Sequence, residues 1–184
     1  LASAVLPQTL AFTNLSGLDL SGRDLSQFDF RQATLIGTDF TGANLTGAQF
    51  AGANLTDAIL TGAILSDADL TDANLAGAAV GGANFSGATL ANVTGTTLTN
   101  AGGSPTVFAG ANLTGATLGG NLDGANLRGA DLSGTDIAAA SLAGADISGA
   151  AVATTTGLDF SEVTLSNIED LSGKDLSNVD FSGQ

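Results

Sequence analysis

Carboxylates are the only plentiful ionisable groups in this chain. It has 18 Asp and Glu against four Lys and Arg, and no His, Cys or Tyr, so the usual side chains for a general base or an activated nucleophile are missing. The densest acidic group is Asp57, Asp67, Asp69 and Asp72. Two carboxylates can share acid/base work where a cleft perturbs them. Hard oxygen ligands can hold a divalent cation where a loop wraps the ion. The sequence around these residues marks neither a cleft nor such a loop. The reading is a chain that is not an enzyme, with no catalytic residue, cofactor or metal site. Together with Asp29, the four carboxylates form a candidate partner-binding acidic surface.

The charge balance narrows the choice of partner. With Arg23, Arg31, Arg128 and Lys174 as the only cations, the net charge is −14. A nucleic-acid duplex or an anionic membrane surface would repel such a chain, which argues against direct nucleic-acid binding. A basic protein remains a fitting partner. Without cysteine there is no disulfide or thiolate site, and the redox compartment is not legible. No run approaches the ~18 apolar residues of a membrane span. Ala2-Ser3-Ala4 resembles the small-residue end of an export signal, so the reading leans toward an exported chain, with the cytoplasm close behind.

The elements that must position the carboxylates follow from a repeat. From Leu15 to Leu90 every fifth residue is apolar, sixteen of sixteen. Two residues before each stands Ala in eleven of the sixteen units, including Ala43, Ala53, Ala63, Ala73 and Ala83, and two residues after each stands Gly in ten. The unit reads Ala-(Asp/Asn)-Leu-(Ser/Thr)-Gly. A five-residue stripe would spiral off an α-helix, and a straight strand has a period of two. A short extended segment followed by a tight turn satisfies it. The small residue and the Leu or Phe then point inward, the Asp or Asn outward, and Gly takes the positive-φ place in the turn. Four such sides close a square coil of twenty residues, and coils stack at ~4.8 Å in a parallel ladder. So narrow an interior explains why Ala alternates with Leu and Phe.

These units resemble the A(D/N)LXX motif of the pentapeptide-repeat family, over nearly the whole chain. The resemblance implies an all-β fold, a right-handed quadrilateral parallel β-helix, here of roughly eight coils. It implies a structural scaffold or protein-interaction module. It also brings an alternative, since some members inhibit DNA gyrase as acidic rods that mimic duplex DNA. Duplex DNA carries one charge per ~1.7 Å of axis, whereas fourteen charges over roughly 40 Å give about one per 3 Å, a partial mimic. Those inhibitors are typically two-fold dimers formed through a C-terminal element, whereas this chain ends in repeat-like Asn178-Val179-Asp180-Phe181. Gyrase is a partner only under that alternative. Rows of paired Thr, as an ice-binding solenoid would need, are not formed on any side.

Departures from the repeat set the expected organisation. Residues 1–12 read as an N-terminal capping segment, helical after Pro7. Residues 13–184 read as the β-helix, with an irregular loop at 93–105 and breaks near 119–121 and 153–157. At 119–121 the period slips by one residue at Gly119-Gly120, from Leu118 to Leu122. Two solenoid blocks meeting near residue 100 are the competing division. At the ends, Leu18, Arg23, Phe28, Lys174 and Val179 replace the inward Ala, as capping repeats do.

Overall fold

The computed structural model describes residues 8–94, 105–152, 154–158 and 163. They form a right-handed, four-sided parallel β-helix. One side is lined by the rungs Thr9, Asp29, Gln49, Asp69, Thr89, Asn112, Asp131 and Ala151, each bridged in parallel to the next. The second side starts at Asn14, the third at Asp19 and the fourth at Asp24. Leu and Phe from all four sides meet on the axis, with Ala filling the corners between them. Phe30, Phe40, Phe50, Leu60 and Ala63 are fully buried.

The unit sequence follows from accounting for its five backbone N–H groups, each of which needs an acceptor. In the unit from Ala43 to Gly47, Asn44 N–H donates to the Arg23 carbonyl of the coil before (2.9 Å). Leu45 and Gly47 donate to the Ile64 and Ser66 carbonyls of the coil after (2.7 and 2.9 Å). Ala43 N–H closes the preceding turn on the Phe40 carbonyl at 2.9 Å, with Gly42 at a φ of 63°. That leaves Thr46 N–H, which donates to Asn44 Oδ1 at 3.2 Å. Where the unit carries Asp or Asn it thus closes an Asx turn around the corner, and here the hydroxyl that follows bonds the same oxygen.

The register changes where the sequence pattern fails. Rungs lie twenty residues apart as far as Asn74↔Thr94, then twenty-three apart at Asn84↔Val107 and Thr89↔Asn112, and nineteen at Val107↔Asn126. The extra residues fall between 94 and 107, and the loop at 95–104 lies outside the described residues. The one-residue slip is resolved by two strands, β1 (Thr117–Asn121) and β2 (Asp136–Ser141), which replace the corner turn with continuous parallel pairing. Thr117 pairs with Asp136, but Gly119 pairs with Ala139, so the bulge sits beside Gly119.

The ladder also reaches further toward the N-terminus than the repeat pattern does. Thr9 bridges Asp29, and buried Leu10 donates to the Asp29 carbonyl at 2.7 Å. Residues 9–12 thus form a β-helix side, not a helical cap. Gln8 at the inward small position and Phe12 at the positive-φ corner (59°) disguise it. Residues 1–7, with Pro7, and the C-terminal segment holding Lys174 and Val179 lie outside the described residues, while Leu158 and Val163 pack partly buried against the core.

Candidate functional site

The five carboxylates singled out in the sequence are spread around the coil. Asp29 and Asp69 share the first side, two coils apart, with Gln49 between them. Asp67 and Asp72 occupy the corners on either side of Asp69, and Asp57 lies at the corner between the second and third sides. Asp57, Asp67 and Asp72 stand where the repeat prefers Gly, with φ of 56°, 58° and 57°. This left-handed conformation is tolerated by Asp better than by most side chains. Their side chains lean along the axis. A Cβ built on Gly77 would meet the Asp57 carboxylate at 2.2 Å, and one on Gly87 the Asp67 carboxylate at 2.5 Å. Asp72 instead accepts from Asn92 Nδ2 at 3.1 Å. Asp69 Oδ1 caps its own corner, accepting from Thr71 N–H and Oγ1 at 3.0 and 2.6 Å. Among the described residues no three acidic side chains converge as a metal site would require.

Local hydrogen bonding sets the electrostatics. The Arg31 guanidinium donates twice to Asp29, at 2.9 and 2.7 Å, and with the Arg31 N–H it holds that carboxyl at a pKa of about 2. Hydrogen bonds from the Ser hydroxyl and N–H two residues on lower Asp19, Asp24 and Asp131. At Asp146 burial pushes the pKa up, but Ser148 and Arg128 together outweigh it and the net shift is downward. All these groups have folded values below the unfolded one. Their contribution is therefore complete above about pH 4 and is lost as the pH falls through the folded values, which for Asp29 lies near 2. The urea midpoint is expected to be flat above about pH 5 and to fall between about pH 4 and 2. Asp29→Asn should make that acid limb shallower, and an unchanged limb would contradict the assignment.

Two features escaped the sequence reading. Thr38, Thr106, Thr135 and Thr155 occupy the inward small position and are buried. Each hydroxyl bonds a carbonyl of the coil before: Leu15 at 2.9 Å, Val80 at 3.1 Å, Leu113 at 2.8 Å and Leu132 at 2.6 Å. Every buried side-chain polar atom among the described residues has a partner, so these sites are satisfied core positions. At Thr38, Thr106 and Thr135 the signal was Thr two residues before a core apolar residue, where Ala is the rule; at Thr155 the residue two on is Gly157. The second feature is charge distribution. Residues 73–122 contain no Asp, Glu, Lys or Arg, so an uncharged band more than two coils high interrupts the acidic rod.

Comparison with known proteins follows the same lines. The family model for pentapeptide repeats matches in eight copies, at residues 13–50, 48–87, 68–101 and 121–152. Among solved structures, HetL from the cyanobacterium Nostoc sp. strain PCC 7120, a pentapeptide repeat protein involved in heterocyst differentiation regulation, is 28% identical. The match covers 88% of this chain and 89% of HetL, with a TM-score of 0.37. A pentapeptide repeat protein from the Arabidopsis thaliana thylakoid lumen is 39% identical over 58% of this chain and 66% of its own, with a TM-score of 0.22. QnrB1, a plasmid-mediated fluoroquinolone resistance protein, is 20% identical over 88% of this chain and 92% of its own, with a TM-score of 0.41. No curated protein sequence matches the chain.

Proposed function

The chain belongs to the pentapeptide-repeat family, and we propose that it is a non-enzymatic scaffold whose sides bind a protein partner. The observation that carries this reading is the placement of the carboxylates. They cap corners or lean along the axis at separate positions around the coil, as Asp57, Asp67 and Asp69 do, which leaves contact surface as the chief thing the sides offer. Among the described residues no helix is long and apolar enough to cross a membrane.

The charge pattern supports a scaffold over a DNA mimic. A duplex presents charge continuously, one per ~1.7 Å, while residues 73–122 present none. Titration into a DNA gyrase supercoiling reaction is expected to give no inhibition at micromolar protein. Inhibition in that range would replace the scaffold reading with the mimic. Affinity capture from the native host, with the tagged protein as bait, is expected to return a specific protein. A capture no different from the tag alone would overturn the scaffold reading.

A further inference from the structure

Among the described residues, three of the five exposed large apolar side chains stand at outward or corner positions on one flank of the second and third coils. Ile36 lies at the corner leading into the third side, Ile59 on that side one coil further up, and Ile64 around the next corner on the fourth side. Ile59 and Ile64 are 38% and 44% exposed, and both stand at outward rung positions. Those rungs are where Asp and Asn elsewhere accept the corner N–H, as Asn44 does from Thr46 and Asn54 from Thr56. An isoleucine has no acceptor for the N–H of Thr61 or Ser66, so the local fold gives no reason to prefer it there. The third-side ladder runs Asp19, Asp39, Ile59, Ala79, placing a carboxylate directly beneath Ile59. Asp57 and Asp67 bracket the isoleucine pair in its own coil. Asp24 lies two coils below Ile64 on the fourth side, and Arg23 beside it is, among the described residues, the only cation on this flank.

We propose that this strip, centred on Ile59 and Ile64, is the docking seat for a protein segment that presents apolar side chains interleaved with Lys or Arg. The inference rests on the scaffold reading and names its surface. Charge complementarity selects the occupant, because Asp39 on the rung directly beneath Ile59 and Asp57 and Asp67 at the flanking corners place negative charge around any group that covers the isoleucines. An anionic lipid surface or a second acidic copy of this chain would be repelled there. The apolar pair supplies the desolvated centre and the carboxylates the rim.

Two labelled probes separate the apolar part of the contact from the charge. One is a short peptide of alternating lysine and leucine, and the other an oligolysine of equal charge, both read by fluorescence anisotropy. The wild type is expected to bind the alternating peptide at least about tenfold more tightly than the oligolysine. The double variant Ile59→Asn/Ile64→Asn supplies at both rungs the corner-capping acceptor of the unit, as Asn44 and Asn84 do on either side of Ile64, and so should keep the fold, which circular dichroism verifies. It is expected to erase the tenfold preference while leaving oligolysine binding unchanged. Asp57→Gly/Asp67→Gly, which restores the corner consensus, should weaken both probes. A preference that survives in the isoleucine variant overturns the proposal. A host protein captured equally by wild type and by that variant sinks the docking seat and leaves the scaffold standing, whereas no specific capture by either sinks the scaffold.

Discussion

Phe50→Ala is expected to lower the unfolding free energy by about 3–5 kcal/mol. Phe50 is fully buried, stacked on Phe30 with ring centroids 4.9 Å apart and planes within 7°, and set edge-on to Phe40 at 6.1 Å and 87°. Removing the ring takes away its transfer term and both ring contacts, the latter worth about 0.5–1.5 kcal/mol a pair. What makes the upper range apply is that the void has little means of closing. Coil spacing is held by backbone bonds on every side, such as Phe50 N–H to the Asp69 carbonyl at 2.6 Å and Gly52 N–H to Thr71 at 2.8 Å. Drawing the walls inward would break several of these at once. Phe50→Leu should cost far less, because Leu70, one coil above, and Leu10, two coils below, already occupy the same column. Urea unfolding followed by far-UV circular dichroism measures both. A loss under about 1 kcal/mol for the alanine variant would mean the coils can collapse onto a void, contrary to the packing described.

The legibility of this molecule divides along the same line between inward and outward positions. Core positions were readable because only one residue size fits each: Leu or Phe at Leu45 and Phe50, Ala at Ala43 and Ala48, all fully buried. The slip at Gly119-Gly120 was readable because a single missing residue shifts every later core position. Thr38 and Thr135 were harder to place, since a threonine reads as a corner residue until the carbonyl of the preceding coil is seen beside its hydroxyl. The first side at Thr9 and Leu10 was hidden by Gln8 and Phe12, neither of which suits its place in the unit. Composition counts charges, whereas twenty residues per turn distribute Asp57, Asp67 and Asp72 over three of the four corners. Ile59 and Ile64 carried information in type alone, as apolar residues where the unit asks for Asp or Asn.

Ala63→Leu is expected to destabilise by about 3 kcal/mol, at the upper end of overpacking costs, while Thr61→Leu two residues away should stay within about 0.5 kcal/mol. Ala63 is fully buried in an inward column with Ala43 below and Ala83 above, both also fully buried. Its carbonyl accepts from Asn84 N–H at 2.9 Å, and its N–H closes the turn on Leu60 at 2.9 Å. The backbone is thus pinned to both the next coil and its own corner, and three added carbons must displace the neighbouring columns. Thr61 sits at the corner itself, where its carbonyl accepts from Gly42 N–H at 2.9 Å. That bond is independent of the side chain, so a leucine there extends over the surface. Urea midpoints of the two variants against the wild type decide the matter. Equal and small shifts would show that the interior has room for a larger residue, and the square coil with an alanine-lined corner would then be the wrong account of why this unit carries Ala. A large shift confined to Ala63→Leu ties the Ala of the unit to the narrowness of the coil, because the two positions lie two residues apart on one chain and differ mainly in which way the side chain points.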